Sequence, residues 1–295
     1  MTNNSGEKKV NDGIVLDVKK ELNKIAQYYY NDFIYYKNFE GYTATDMKNL
    51  QTDINGLSLK PKDIQNLKVQ DLNPDFIGSN EFNNTSDQEQ TFSTASYSHS
   101  FQNTTSTAVT KAFSIAGKST VFSVPIVLKK GIEVTATVNS ATTNTTTESE
   151  TKTFTAPSQS VKVPAHRTYK VDVEFYKKSL SGEMPFTGQA DNVTTSFNVR
   201  LKYLQPGPVF QRPDRIKSYK NSTVNYLFAL HDAQQQDIYN SGLIFGYDAP
   251  TNEFKIDATA NLTGVIGSVL KVNIYDVTNR SQPTLVKQTT INLAQ

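Results

Sequence analysis

Between two Ser/Thr-rich tracts, Thr85–Thr110 and Ala141–Thr155, the chain carries a segment with two opposed surfaces. Ile132, Val134, Ala136 and Val138 alternate strictly with Glu133, Thr135, Thr137 and Asn139. A period of two puts the first set on one face of a β-strand and the second on the other. Upstream, Val121, Phe122, Val124, Pro125, Ile126, Val127 and Leu128 form an apolar patch, and Lys129-Lys130-Gly131 makes a charged turn between the two arms. The pattern predicts a two-faced hairpin. The apolar residues shift phase near Val121–Phe122, which predicts a bulge or a register change there.

An ordinary edge hairpin would lay its apolar face on a core. Here the apolar residues peak at the tip, where ordinary hairpins are polar, and the flanking tracts hold few large apolar side chains. The alternating part also approaches the ~9–11 residues that a tilted strand needs to cross a bilayer. A strand enters lipid only when every backbone N–H and C=O is paired, so such a hairpin must close into a barrel with copies from other chains. On this reading the apolar set from Val121 to Val138 meets lipid. Glu133, Thr135, Thr137 and Asn139 line the lumen, and Lys129 and Lys130 emerge in water beyond.

Composition removes most other classes. Apolar residues make up 37% of the 295, Cys and Trp are absent, and the formal net charge is +2. No Cys means no disulfide framework, thiolate catalysis or zinc–thiolate site. Near-neutral charge argues against nucleic acid as a partner. The longest apolar stretches, such as Val124–Leu128 and Tyr226–Leu230, are five residues long, against ~20 for a spanning helix. Residues 1–13 read as a polar tail without the apolar core of a signal peptide. Either a signal has been removed, or the protein leaves its cell by another route.

Asp12 is a candidate N-cap, and Ile14, Val18, Leu22, Ile25 and Tyr29 recur at helical spacing. Tyr28, Tyr29, Tyr30, Phe33, Tyr35, Tyr36, Phe39 and Tyr42 then crowd one short stretch. They suit a small aromatic core, or an exposed surface for a sugar, lipid headgroup or receptor, and both readings can hold together. Val161, Val163, Tyr169, Val171, Val173 and Phe175 read as half-buried strand. Pro206-Gly207-Pro208 and Pro213 predict an irregular region to about Asn221. Strands at Phe254–Ala258, Gly267–Tyr275 and Thr284–Leu293 would supply a sandwich core from Leu270, Val272, Ile274 and Leu285.

Catalytic and metal signatures are missing. His99, His166 and His231 are widely separated, and Gly117-Lys118-Ser119 lies between strand-like tracts and not at the start of a helix. No catalytic residue, metal site or cofactor is predicted, and the chain reads as a non-enzyme.

Taken in order, several segments resemble one family. They are Asn84-Thr85-Ser86-Asp87-Gln88-Glu89-Gln90, Val124-Pro125-Ile126 before Gly131-Ile132, Ala156-Pro157-Ser158-Gln159, Val163-Pro164-Ala165 and Phe254–Leu293. The chain resembles the clostridial epsilon-toxin and bacillar mosquitocidal-toxin family of aerolysin-like β-pore-forming toxins. The resemblance implies a mainly β, elongated three-domain fold with long antiparallel strands, a small N-terminal helical part and a distal β-sandwich. It divides the chain into a tail at 1–13 and a receptor-binding domain at 14–83 with part of 189–250. A central region follows at 84–188 with its insertion hairpin at about 107–143. The distal domain is 251–295 with strands from 84–106 and 144–165. The resemblance further implies secretion or release from a bacterium, a target-cell membrane and receptor as partners, and a heptameric or octameric pore. Tyr28–Tyr42 falls at the family's receptor-facing cluster. Proteolytic activation would use Lys8 and Lys9, or Lys19 and Lys20. The rival reading is a non-pore-forming adhesion or carbohydrate-binding module using the Tyr-rich surface.

Overall fold

The computed structural model describes residues 15–115, 120–127, 133–204, 212–246 and 252–292. Its spine is a 36-residue strand, Thr168–Tyr203, paired antiparallel over most of its length with the 23-residue strand Phe254–Asp276. The main sheet runs in the order Thr146–Ala156, Tyr97–Val109, Phe254–Asp276, Thr168–Tyr203, Tyr42–Pro61, Asn38–Phe39. Along the spine's other side, Gln65–Asp71 and Asp75–Asn83 follow Tyr42–Pro61, so the whole of 42–83 lies antiparallel to it.

The spine changes its buried face twice. From Tyr169 to Phe175 the odd-numbered residues are buried, from Leu180 to Ala190 the even-numbered ones, and from Val193 to Leu201 the odd ones again. Both changes coincide with irregular pairing, at Tyr176/Lys177 and around Asp191, where Asn192 takes a positive φ of 54°. At the first the extra residue is Ser268 of the partner strand, and the covered side of the sheet changes there. At the second the spine itself carries the extra Asn192, which rotates everything beyond it by one face. One strand thereby serves three packing regions.

The first region is the core of a distal sandwich. It joins Val161, Val163, Val171, Val173 and Phe175 to Leu270, Val272 and Ile274, with Phe154 stacked on Phe175 at 5.5 Å. Leu285, expected in this core, is 49% exposed, because Thr284–Asn292 is an outer strand whose side chains are mostly in water. The strands read as short from the sequence also join: Phe254–Ala258 and Gly267–Tyr275 belong to one continuous element.

The third region is covered by helices. Helix α1 (Val18–Tyr29) buries Val18, Leu22, Ile25 and Ala26, and the Asp17 side chain caps it by accepting from the Lys20 amide at 3.3 Å. The cap is thus Asp17; Asp12 and Ile14 lie outside the described residues. A π-type turn over Tyr30–Ile34 follows. Where an irregular stretch was expected, Arg215–Ser222 forms a strand on the spine, followed by α2 (Thr223–Ala229) and α3 (Asp232–Asn240). Hydroxyls lock these pieces together: Thr195 bonds Thr52 at 2.9 Å and Thr223 at 2.7 Å, and Thr52 donates to Asn23 at 2.7 Å. Among the described residues no helix is long and apolar enough to cross a membrane.

Strand crossing in the middle region is tight. A Cβ on Gly264 would stand 2.5 Å from the backbone oxygen of Thr104 on the adjacent strand. A backbone neighbour cannot rotate away, so the strands would have to separate. Gly264→Ala is expected to lower the denaturant unfolding midpoint by an amount equivalent to about 1–3 kcal/mol. An unchanged midpoint would show that the two strands are free to move apart.

Candidate functional site

The second region carries the hairpin. Val121–Val127 and Glu133–Asn139 pair in a continuous antiparallel register, with Phe122 opposite Val138, Val124 opposite Ala136, and Ile126 opposite Val134. Directly opposed residues share a face, so these six side chains form one apolar surface. Ile126, Val134, Ala136 and Val138 are buried, and Phe122 and Val124 pack partly buried against the same core. The Phe122 ring meets Phe186 of the spine edge-on at 5.2 Å.

The other face joins Val127 to Glu133, Pro125 to Thr135, Ser123 to Thr137 and Val121 to Asn139. Ser123 and Thr137 exchange a hydroxyl hydrogen bond at 2.9 Å. Val121, Pro125 and Val127 therefore lie with the polar set, away from the other apolar residues, and Val127 is 68% exposed. The described register runs unbroken through Val121–Phe122. The shift of phase in the sequence is a change of face and not a bulge. Leu128, Ile132 and the Lys129-Lys130-Gly131 turn lie outside the described residues.

Beneath the hairpin lies a polar seat. An antiparallel pair turns every second carbonyl outward, and here two seat hydroxyls meet such carbonyls. Thr105 Oγ1 donates to the Thr135 oxygen at 2.6 Å, and Thr107 Oγ1 donates to the Thr137 oxygen. Both threonines are buried in Tyr97–Val109. Nearby, Asn103 Oδ1 accepts from the Gly267 amide at 2.8 Å. At the hairpin's base, the Ser140 amide donates to Thr120 O at 3.0 Å, and Phe113 N donates to Ser140 O at 2.7 Å. Nothing in the sequence separates Thr105 and Thr107 from the other threonines of their tract. Their partners are carbonyls thirty residues away.

The aromatic cluster splits into core and surface. Tyr30 and Tyr42 are buried, and Tyr29 packs on Tyr226 at 4.7 Å. Burial pushes the Tyr226 hydroxyl up to about 12. Tyr28 donates to Asp237 at 2.8 Å, and Lys24 pairs with the same carboxylate at 3.0 Å. Hydrogen bonds from Lys24 and Tyr28 hold that carboxyl below its ordinary range. Phe33, Tyr35 and Tyr36 are exposed, Tyr36 by 84%, while Phe39 is half-buried. Lys19 and Lys20 stand in the first turn of α1, where a protease would first have to open the helix. Lys8 and Lys9 lie outside the described residues. Among the described residues no group of His, Asp or Glu side chains is placed to hold a metal ion.

The family described as Clostridium epsilon toxin ETX/Bacillus mosquitocidal toxin MTX2 matches residues 20–286. The chain belongs to this family. As a member of the ETX/MTX2 family it belongs among pore-forming toxins, which are not generally enzymes. The family's fold recurs in solved structures of low identity. The Mpp75Aa1.1 beta-pore-forming protein from Brevibacillus laterosporus has a TM-score of 0.61 at 15% identity, covering 95% of this chain and 96% of that one. A non-toxic crystal protein from Bacillus thuringiensis has a TM-score of 0.59 at 13% identity, covering 88% and 96%. Cry23Aa1, solved in its binary complex with Cry37Aa1, has a TM-score of 0.54 at 17% identity, covering 95% and 96%. No curated protein matches this ETX/MTX2-family sequence significantly.

The seat makes a direct prediction. Thr105→Val with Thr107→Val keeps the side-chain shapes and removes both clasping bonds, each worth about 0.5–1.5 kcal/mol. Amide exchange across Val134–Val138 should accelerate roughly tenfold, while the Phe175 region is unaffected. Unchanged exchange in the hairpin would mean that its apolar face alone holds it.

Proposed function

We propose that the chain is a secreted or released bacterial toxin that forms a transmembrane β-barrel from its hairpin. The observation that carries this reading is the uninterrupted apolar face Phe122/Val138, Val124/Ala136, Ile126/Val134 on a hairpin whose reverse carries hydroxyls and Glu133. Burying a Val, Leu or Ile side chain contributes roughly 1.5–3 kcal/mol. Release into water is therefore costly, and release into lipid returns the same burial. Lipid supplies no partners for backbone groups, so the released hairpin has to pair with hairpins of neighbouring subunits.

The proposed sequence of events follows. Exposed Phe33, Tyr35 and Tyr36 engage a cell-surface receptor, protein or glycan, in a domain built from 14–83 and part of 189–250. Cleavage in the N-terminal segment at Lys8 or Lys9, or at Lys19 or Lys20, permits assembly. Subunits form a ring of seven or eight, and the carbonyls held by Thr105 and Thr107 exchange those hydroxyls for amides of an adjacent strand. The six-residue face, extended by Leu128 and Ile132, meets lipid. Glu133, Thr135, Thr137 and Asn139 face the lumen together with Val121, Pro125 and Val127. The outcome is lysis of target cells, of insects by the character of the family. The distal sandwich, 251–295 with its strands from 84–106 and 144–165, stays outside the membrane.

A second reading has support in the exposed rings and in the likeness to a non-toxic crystal protein. It makes the chain an adhesion or carbohydrate-binding module that never inserts.

One cavity separates the readings. Thr135 of the hairpin and Ser149 of the edge strand line a common space of about 240 Å³. The chain has no Cys, so Thr135→Cys with Ser149→Cys creates a unique thiol pair for a short cleavable bridging reagent. The unbridged variant should release dye from target-cell membrane vesicles, the bridged protein should not, and cleaving the bridge should restore release. Equal release with the bridge closed would contradict unfurling of the hairpin. No release from any target membrane, with binding retained, would favour the adhesion reading.

A further inference from the structure

The end of the spine farthest along the chain from the distal sandwich carries a ladder of cations laid on aromatic rings. The Arg212 guanidinium stands 4.7 Å from the centre of the Tyr203 ring, and Arg215 stands 4.5 Å from that of Tyr42. Those two rings meet edge-on at 5.1 Å. Alongside, Lys217 Nζ lies 4.8 Å from the centre of Phe39 and 5.6 Å from that of Tyr219, and Lys37 Nζ lies 5.8 Å from Phe39. All four cationic side chains belong to exposed residues.

These charges lack carboxylate partners. Among the described residues none of Lys37, Arg212, Arg215 and Lys217 makes an ion pair. Asp214 is engaged by Arg200, and Asp46 by Lys48 at 3.3 Å. Glu40, in the turn after Phe39, is the carboxylate nearest in sequence to Lys37. The rings hold the cations in place by their negative faces. The remaining N–H groups are left to donate outward.

The surroundings of the ladder identify its partner. Among the described residues Arg215–Ser222 pairs with the spine alone, so Arg215 and Lys217 stand along an open rim, with Arg212 just before it. A glycan or small anion is ordinarily held in a concave site by a few convergent groups. An open row of separate cations instead matches a surface that presents many anionic groups side by side. An apolar side chain stands beside them in water: Leu204 at the end of the spine is 58% exposed. Tyr36 adjoins Lys37. Cations interleaved with Tyr and flanked by an aliphatic side chain suit the headgroup layer of a bilayer, where rings and aliphatic groups enter the interface and charges meet phosphate.

We propose that this ladder is a docking surface for anionic phospholipid headgroups, adjoining the receptor-facing ring of Tyr36 and distinct from the hairpin. It holds the receptor-binding end against the bilayer. The proposal goes beyond pore formation and does not depend on it, because binding and leakage are separate readouts.

The test is sedimentation of the full chain with phosphatidylcholine vesicles, with and without phosphatidylserine. Binding should require phosphatidylserine and weaken as salt rises toward ~0.15 M, where the Debye length is about 8 Å. Arg212→Gln and Lys217→Gln should each lower the partition coefficient about fivefold, and together roughly twenty-fivefold. Arg212→Lys and Lys217→Arg, which keep the charge, should retain most of the binding, as should Lys68→Gln on a remote strand. Circular dichroism melts confirm that each variant is folded. Equal binding to uncharged vesicles, or loss no greater for Arg212→Gln and Lys217→Gln than for Lys68→Gln, would overturn the proposal. So would retention on a sulfated polysaccharide without any preference for phosphatidylserine. Vesicle binding without leakage would leave this proposal standing and count against the pore alone.

Discussion

Everything in this molecule is hung on the pairing of Thr168–Tyr203 with Phe254–Asp276. A strand of that length has an inside and an outside only as long as its register holds, and each added residue exchanges the two. The spine uses that exchange around Asp191, and at Tyr176/Lys177 its partner strand carries the extra residue. Together these irregularities let one strand bury Phe175 in a sandwich, Phe186 beneath a hairpin and Phe197 beneath helices. The hairpin seat thus lies between the sandwich, which has its own core, and the helix-covered end, whose core it shares.

The seat combines two interactions with different fates. Apolar contacts such as Phe122 on Phe186 are indifferent to whether the partner is protein or hydrocarbon, because the driving force is removal from water. Hydrogen bonds from Thr105 and Thr107 are not indifferent, because a carbonyl carried into lipid must find a new donor. The docked state is therefore stable alone, and the released state is stable only in company. The Ser/Thr-rich composition around it has the same logic, since cross-strand hydroxyl pairs such as Ser100 with Thr153 and Ser106 with Thr147 hold long strands together at little apolar cost.

Much of this was legible in the residues, and the misses have causes. Val134, Ala136 and Val138 showed their common face because nothing interrupts their alternation. The ascending arm hid its register: seven residues of mixed polarity do not say that Val121, Pro125 and Val127 face away from Phe122, Val124 and Ile126. The two longest strands read as fragments because their bulges break the period of two. Helix α1 announced itself by its spacing, whereas α2 and α3, of seven and nine residues, are too short to show a periodic face and follow Pro-rich sequence. The crowd of tyrosines could not be sorted into core and surface from order alone. Tyr30 and Tyr36 are alike in the sequence, and only packing buries the first and exposes the second.

The central claim is that one face of the hairpin passes from the sheet to lipid while the other stays in water. The absence of native Cys allows single fluorescent labels at Val134, Thr135, Ala136, Thr137 and Val138 in turn. Their emission can be followed on target membranes whose lipids carry a quencher in the acyl chain. The account predicts an alternating record, quenched at 134, 136 and 138 and unquenched at 135 and 137. A record without alternation, or no quenching at any of the five, would contradict it.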